Sequence, residues 1–235
     1  MDNKVSILIP ARMASTRFPG KPLAPIDGIP MVVYCARNAL KTDLEVFVCT
    51  DSKEIADVAL KAGAEVPFLR PSELATNTIS KFPALRHALK TCESIYQTEF
   101  DYLIDLDPTS PLRIADDINN CIDLVLKSNI SNVITAMYSR RSPYFNLIEK
   151  DLSGKVVISK TIDPPPTCRQ DSPQCYDMNA SIYAWKKEVL VENEMPIFLD
   201  STELYLMPEE RSIDIDSELD AKFVEFLLKN KVMNN

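Results

Sequence analysis

The stretch Val5-Ser-Ile-Leu-Ile-Pro-Ala-Arg-Met-Ala-Ser-Thr-Arg-Phe-Pro-Gly-Lys21 decides how the chain begins to fold. Its first five residues form a short apolar run, which is typical of a strand buried in a parallel sheet. The run ends at Pro10, and the breaker-rich residues after it predict a loop. Arg12, Arg17 and Lys21 lie in this loop among small residues, a combination suited to binding phosphate oxygens. The loop lacks the P-loop pattern, so its residues alone leave a basic surface loop as an equal alternative.

Strands and helices alternate outward from this first strand. Further strands are predicted at 45–50, 65–69, 102–106 and 202–207, and helices at 31–40, 51–63, 82–96 and 116–127. This alternation predicts right-handed crossovers and an α/β fold with a mostly parallel sheet. Because ligands of such folds bind at the carboxyl ends of strands, we expect the site in the loops after Ile9 and Leu106.

The pattern changes between residues 139 and 175, where Pro, Gly and Ser break the chain into short pieces. We therefore expect one domain over residues 1–235, in which 139–175 is an inserted lobe or dimerisation arm. A last helix is predicted to begin at Ser217 and to bury four apolar side chains, Leu219, Phe223, Phe226 and Leu227.

The composition excludes several classes of protein. A net charge of −8 argues against general nucleic-acid binding, which needs a basic surface. No leader opens the sequence, and no apolar run reaches the ~18 residues that a membrane span needs. The six cysteines contain no C-x-x-C pair, which indicates reduced thiols. We therefore expect a cytoplasmic protein that binds neither membranes nor nucleic acids.

Two carboxylates near the end of the chain stand out by their spacing. Asp214 and Asp216 alternate with Ile213 and Ile215, so on a strand both acids would face one side. A pair of oxygen donors on one face suits Mg²⁺, which binds few protein carboxylates and keeps its waters. The alternative is a pair of solvated acids at the entry to a helix.

Four segments, spread over nearly the whole chain, resemble the acylneuraminate cytidylyltransferase family. In order they are Ile9–Leu23, Pro108-Thr-Ser-Pro-Leu-Arg113, Arg169-Gln-Asp-Ser-Pro with Met178-Asn-Ala-Ser-Ile-Tyr183, and Arg211-Ser-Ile-Asp-Ile-Asp-Ser-Glu-Leu-Asp220. The resemblance implies a Rossmann-like nucleotide-diphospho-sugar transferase fold, paired as a homodimer through the inserted lobe. It also implies transfer of a cytidylyl group from CTP to an acidic nine-carbon sugar, with Mg²⁺ or alternatively Mn²⁺ as cofactor.

The resemblance assigns roles to individual residues. Arg12 and Lys21 would be catalytic, since they would stabilise charge on the attacked phosphorus. The nucleotide would be bound by Arg12, Ser15, Arg17, Lys21, Arg70, Ser80 and Asp107. The sugar would be bound by Arg169 and Asn179, and the metal by Asp214 and Asp216.

Asp107 departs from the family pattern, which often has Gln there. It could contact the nucleotide, supply a third carboxylate to the metal, or only cap its loop. Asn77 replaces a usual Asp, so it receives no role. His87, the one histidine, is expected at an exposed helix position, and Trp185 in the core.

Residues 141–149 and 208–216 look most like the branch that activates legionaminic acid. N-acetylneuraminic acid is the first alternative, followed by pseudaminic acid and Kdo. A non-catalytic nucleotide sensor is the alternative from another class, although it would be expected to lose the loop cations or the acidic pair. Tyr144, Phe145 and Tyr176 could line the sugar pocket or form the core of the inserted lobe.

Overall fold

The computed structural model describes residues 3–13, 18–76 and 78–230. Its strands are β1 (Val5–Ala11), β2 (Pro25–Ile26), β3 (Ile29–Pro30), β4 (Val46–Thr50), β5 (Tyr102–Leu106), β6 (Asn132–Tyr138), β7 (Ile148–Lys150), β8 (Val156–Ile158), β9 (Tyr176–Lys186) and β10 (Thr202–Leu206). Its α-helices are α1 (Met31–Ala39), α2 (Lys53–Lys61), α3 (Lys81–Tyr96), α4 (Ala115–Val125), α5 (Lys187–Glu192) and α6 (Glu218–Lys229).

The central sheet has six strands in the order β10-β6-β9-β5-β1-β4. β9 runs antiparallel to both its neighbours, and the other paired strands run parallel. The carboxyl ends of β1, β4, β5, β6 and β10 therefore lie at one edge, together with the first residues of β9. The predicted α/β fold with a mostly parallel sheet is confirmed, and the motif-bearing loops open at this edge.

Side chains from the two faces of the sheet pack under different helices. On β1, Ile7 and Ile9 belong to the core beneath α1, α2 and α4. Leu8 points to the opposite face and packs with residues of α3 and α5, as the two-residue period of a strand requires. Trp185 is fully buried on this second face, as predicted. None of the helices in the described part of the chain is long and apolar enough to cross a bilayer.

Two local predictions in the first half were wrong. Residues 65–69 form two isolated bridges to β4 rather than a strand, because Pro67 between them has no N–H to donate. Helix α2 is capped by Ser52, whose hydroxyl accepts a bond from the Ile55 N–H at 3.3 Å. Asp51, where the predicted helix was to begin, lies before the cap and accepts a bond from the Met13 N–H at 3.2 Å.

Helix α6 exposes the apolar side chains that the sequence predicted to be buried. Leu219, Phe223 and Phe226 are 75%, 48% and 55% exposed, whereas Val224 and Leu227 are buried. The helix packs through Val224 and Leu227 onto a small third core that contains Ile26, Met31, Leu112 and Ile215. The prediction that Leu227 is buried was therefore right. Leu219, Phe223 and Phe226 lie on the outward face of the helix.

His87 is half-buried rather than exposed, so that prediction was also wrong. Its ring packs edge-on against Phe68 at 5.5 Å between centroids. The chain that leaves β4 covers the helix surface here, which the period of α3 alone could not show.

Residues between β6 and β9 contain a two-stranded sheet, β7 with β8, that does not join the central sheet. Several large apolar side chains in this stretch face solvent, among them Ile148, Leu152 and Val156.

Candidate active site

Lys21 and the acidic pair meet at the carboxyl edge of the sheet. Gly20 adopts φ +67°, a left-handed conformation that glycine tolerates, and starts a single 3₁₀ turn over Lys21–Leu23. The Lys21 Nζ lies 2.8 Å from Asp216 Oδ1 and 3.9 Å from Asp214 Oδ1. Two residues predicted from separate motifs, one for phosphate and one for metal, thus share one site.

Asp107 joins the same cluster through Thr109. The Asp107 Oδ1 accepts bonds from the Thr109 N–H at 3.0 Å and from the Thr109 hydroxyl at 2.8 Å. The Thr109 hydroxyl also contacts Asp214 Oδ1, and the Thr109 carbonyl accepts a bond from the Ile215 N–H at 3.0 Å. Asp107 therefore does cap its loop, and this loop also holds it next to Asp214.

Counted over the described residues, the cluster carries more negative than positive charge. Burial raises the pKa of Asp214, and the neighbouring Asp107 and Asp216 raise it further, against the bond from Thr109 and the charge of Lys21. One hydroxyl has one proton, so Thr109 cannot donate to Asp107 and Asp214 at once. A cation placed among these oxygens would relieve the repulsion.

Arg113 holds the loop after β5 in place through buried hydrogen bonds, a role that was not predicted from the sequence. Its guanidinium is fully buried and donates to the carbonyl oxygens of Asp107 and Ser181. Its backbone carbonyl accepts a bond from the Asn38 side chain at 2.8 Å. The only signal in the sequence was its place at the end of the Pro-Thr-Ser-Pro-Leu-Arg motif.

Two predicted nucleotide-binding residues, Arg12 and Arg70, lie in loops near the carboxyl ends of β1 and β4. Arg12 follows β1 and donates to the carbonyl of Thr76. Arg70 is 6% exposed, and its backbone N–H donates to the Thr50 carbonyl at 2.7 Å. Its Nε has no hydrogen-bond partner among the residues that the structure describes. Ser80 precedes α3, and its side chain makes no capping bond. Ser15, Arg17 and Asn77 lie outside the described residues.

Arg169 and Asn179 occupy different surroundings. The Asn179 Oδ1 accepts a bond from the Thr135 hydroxyl at 2.6 Å, and its Nδ2 donates to Ser212 Oγ at 3.0 Å. Asn179 is therefore a buried link between β9 and the acidic segment. Arg169 donates to the Ser139 carbonyl and lines a small pocket of about 90 Å³.

The aromatic residues of the lobe do not form a core. Phe145 and Tyr176 are each about two-fifths exposed, and Tyr176 packs against Tyr138 at 5.6 Å. Tyr144 is half-buried beside Lys160. Phe145 lies between β6 and β7, and Tyr176 begins β9 beside Tyr138 of β6. Both side chains face solvent, so the core alternative is wrong for these two residues.

A cleft of about 470 Å³ opens directly beside Asp214. Met137, Ile213, Phe223 and Leu227 give it an apolar lining, and Arg140 and Glu209 are among its charged residues. This apolar surface adjoins Asp214 rather than Arg169.

Comparisons with known proteins show the family to which the chain belongs. The family model described as cytidylyltransferase matches residues 6–197. "Post-translational flagellin modification protein B" of Campylobacter coli is 42% identical over 97% of both chains. "CMP-N,N'-diacetyllegionaminic acid synthase" of Campylobacter jejuni is 44% identical over 94% of this chain and 93% of its own.

Among solved structures, a CMP:2-keto-3-deoxy-manno-octonic acid synthetase complexed with CTP shares the fold. It is 19% identical, with a TM-score of 0.69 over 97% of this chain and 100% of its own. The resemblance seen in the four motifs is confirmed, and the chain belongs to the acylneuraminate cytidylyltransferase family.

Proposed function

We propose that this cytidylyltransferase joins the cytidylyl group of CTP to a nonulosonic acid and releases pyrophosphate. The observation that carries the proposal is the contact of Lys21 with Asp214 and Asp216 at the carboxyl edge of the sheet. A cation for phosphate oxygens and carboxylates for a metal ion are the groups that such a transfer requires.

For the nucleotide, we propose Arg12, Ser15, Arg17 and Lys21 as ligands of the triphosphate. We propose that Arg70 contacts the cytosine base, and the support for this is physical. Within the described part of the chain, the Nε of this buried guanidinium has no acceptor, which is costly unless a ligand supplies one. Cytosine has such acceptors in its ring nitrogen and carbonyl oxygen, and Ser80 nearby in the sequence is proposed to contact the ribose.

For the metal, we propose Mg²⁺, or Mn²⁺ in its place, on Asp214 and Asp216, with Asp107 as a third carboxylate. Among the described residues, no three Asp, Glu, His or Cys side chains already form a complete metal-binding group. The carboxylates of Asp214 and Asp216 both approach Lys21, and Asp107 is joined to Asp214 through the Thr109 hydroxyl. So small a set of protein ligands suits Mg²⁺. That ion takes one or two carboxylates and completes its shell with water and substrate phosphates.

The proposed reaction is attack of the sugar's anomeric hydroxyl on the α-phosphorus of CTP. Arg12 and Lys21 hold the triphosphate in line and stabilise the charge that spreads over its oxygens. Bound Mg²⁺ supplies further positive charge to the same oxygens. The carboxylates of Asp107, Asp214 and Asp216 are the candidate acceptors for the hydroxyl proton.

For the sugar, we propose N,N'-diacetyllegionaminic acid. The C. jejuni relative bears that substrate in its name. Acetamido and methyl groups need apolar surface, and the cleft beside Asp214 offers Met137, Ile213, Phe223 and Leu227. N-acetylneuraminic acid ranks second, followed by pseudaminic acid and Kdo. Arg169 is proposed to contact the sugar acid from the lobe, and Asn179 to act through its bond to Ser212.

We also propose that residues 1–235 act as one domain within a homodimer paired through residues 139–175. The exposed apolar side chains of Ile148, Leu152 and Val156 support this, since a solvated hairpin of that size seldom leaves three such groups uncovered.

The test is pyrophosphate release from CTP with each of the four sugar acids, compared as kcat/KM. We expect legionaminic acid to lead and related nonulosonic acids to keep some activity, because one methyl contact discriminates by only ~1–3 kcal/mol. A preference for N-acetylneuraminic acid would change the sugar alone. A clear preference for Kdo would contradict the assignment of the substrate to the nonulosonic acids. If no acid led to pyrophosphate release, the proposed reaction would be wrong.

A further inference from the structure

Asp117 is a fully buried carboxylate with four hydrogen bonds. Its oxygens accept from Arg211 Nε and Nη2, both at 2.9 Å, in a two-bond fork. They also accept from the Ile114 N–H at 3.0 Å and the Tyr205 hydroxyl at 3.2 Å. Such a paired fork fixes the guanidinium in both distance and plane, which a lysine could not do.

The two residues connect the segments that carry the acidic cluster. Arg211 ends a single 3₁₀ turn, Glu209–Arg211, three residues before Asp214. Asp117 lies in the first turn of α4, in the segment that leads away from Asp107 and Thr109. The same two segments join again where the Ile215 N–H meets the Thr109 carbonyl at 3.0 Å. Residues 211–215 are therefore attached to residues 109–117 at both ends.

We propose that Arg211 and Asp117 form a positioning pair that keeps Asp214 and Asp216 in place for a divalent cation. The inference rests on the metal site of the proposed function. Between its two attachments the segment has little freedom, so the Asp214 carboxylate stays beside Thr109 and Asp216 stays beside Lys21. Loss of the Arg211 fork releases one end and lets the carboxylates separate. Asp117 and Arg211 themselves need not touch the cation.

The experiment measures Mn²⁺ binding to the purified protein by electron paramagnetic resonance, with neither CTP nor sugar present. The variants are Arg211→Lys, which keeps the charge but loses the fork, and Arg211→Met. We expect affinity to fall in the order wild type, Arg211→Lys, Arg211→Met, by roughly 10–100-fold overall, as for groups that orient metal ligands. The matched control is Lys187→Met, which removes a partly buried ion pair with Glu93 at the opposite edge. It should lower thermal stability but leave Mn²⁺ affinity unchanged.

Wild-type Mn²⁺ affinity in folded Arg211→Lys overturns the pairing role, whether or not Arg211→Met folds. An equal loss of affinity in Lys187→Met also overturns it, because the effect would then be one of general stability. Asp214→Asn separates the two proposals. If that variant loses Mn²⁺ binding while Arg211→Lys does not, the metal site stands and only the positioning pair fails.

Discussion

The ammonium group of Lys21 and the carboxylate of Asp216 meet at 2.8 Å, although 195 positions separate them in the chain. The contact joins the loop after β1 to the segment before α6, and the candidate site lies between them. It also offsets part of the negative charge there, because Asp214 and Asp216 both lie within 4 Å of the same ammonium group. In the proposed function, Lys21 would bind the triphosphate, and Asp214 and Asp216 would hold the metal ion beside it.

Replacement of the loop cations should affect turnover far more than stability. Lys21→Ala and Arg12→Ala each remove a donor to the triphosphate, which costs on the order of 3 kcal/mol, or about 100-fold or more in kcat. Both residues follow the buried strand in a loop, so neither change opens a core cavity. Steady-state kinetics and thermal unfolding measure the two effects. Lys222→Ala, at an exposed position of α6, is the control, and near-normal kcat in both loop variants would contradict the assignment.

Asp214→Asn and Asp216→Asn should weaken metal dependence and rate together. A neutral amide is a poorer ligand than a carboxylate for a hard cation. Activity should vanish with a chelator and return with Mg²⁺ or Mn²⁺, and both variants should need more metal for half-maximal rate. Asp123→Asn, an exposed acid on α4, serves as the control. Wild-type metal titration curves for both variants would leave Asp107 and the substrate phosphates as the only ligands.

Phe223→Ala should raise KM for the sugar acid and leave KM for CTP nearly unchanged. Phe223 lines the cleft beside Asp214 and is half-exposed there, so its contact is worth about 1 kcal/mol, or about five-fold in KM. Phe226→Ala removes an equally exposed ring from the same helix outside that lining. Equal effects of the two changes on sugar KM would show that the cleft does not hold the sugar.

Thiol reagents should separate the cysteines into two classes. Burial raises the pKa of Cys35 and Cys49 to about 11 and that of Cys92 to about 12, and it also raises the pKa of Cys121. These four thiols stay protonated in the folded protein at pH 8, so only Cys168 and Cys175 should react quickly with Ellman's reagent. The double change Cys168→Ser and Cys175→Ser should abolish the fast phase, and a persistent fast phase would contradict the burial.

The same pKa shifts predict how stability depends on pH. Above about pH 9 the unfolded chain loses thiol protons that the folded chain keeps. The folded state then binds more protons than the unfolded state, so the free energy of unfolding falls as the pH rises from 9 towards 11 and beyond. Urea unfolding at pH 8 and pH 10 measures the difference.

Local patterns predicted much of the fold. The apolar run that opens β1 and the periodic residues of α3 were located within a residue or two. Strand and helix periods act over a few residues, so they can be seen in the sequence itself. The errors came where distant chain segments decide exposure. Phe68 covers His87, and the small third core takes Val224 and Leu227 rather than the phenylalanines of α6.

The sequence by itself determined most of the alternating strands and helices up to α4, the family and the residue types of the candidate site. Only the tertiary structure decided which of those residues meet. It set Lys21 against Asp216, joined Asp107 to Asp214 through Thr109, and turned Asn179 into a buried link to Ser212. The physical reason is that parallel strands bring their carboxyl ends to one edge, while hydrogen bonds between side chains depend on angles and distances that no local pattern encodes.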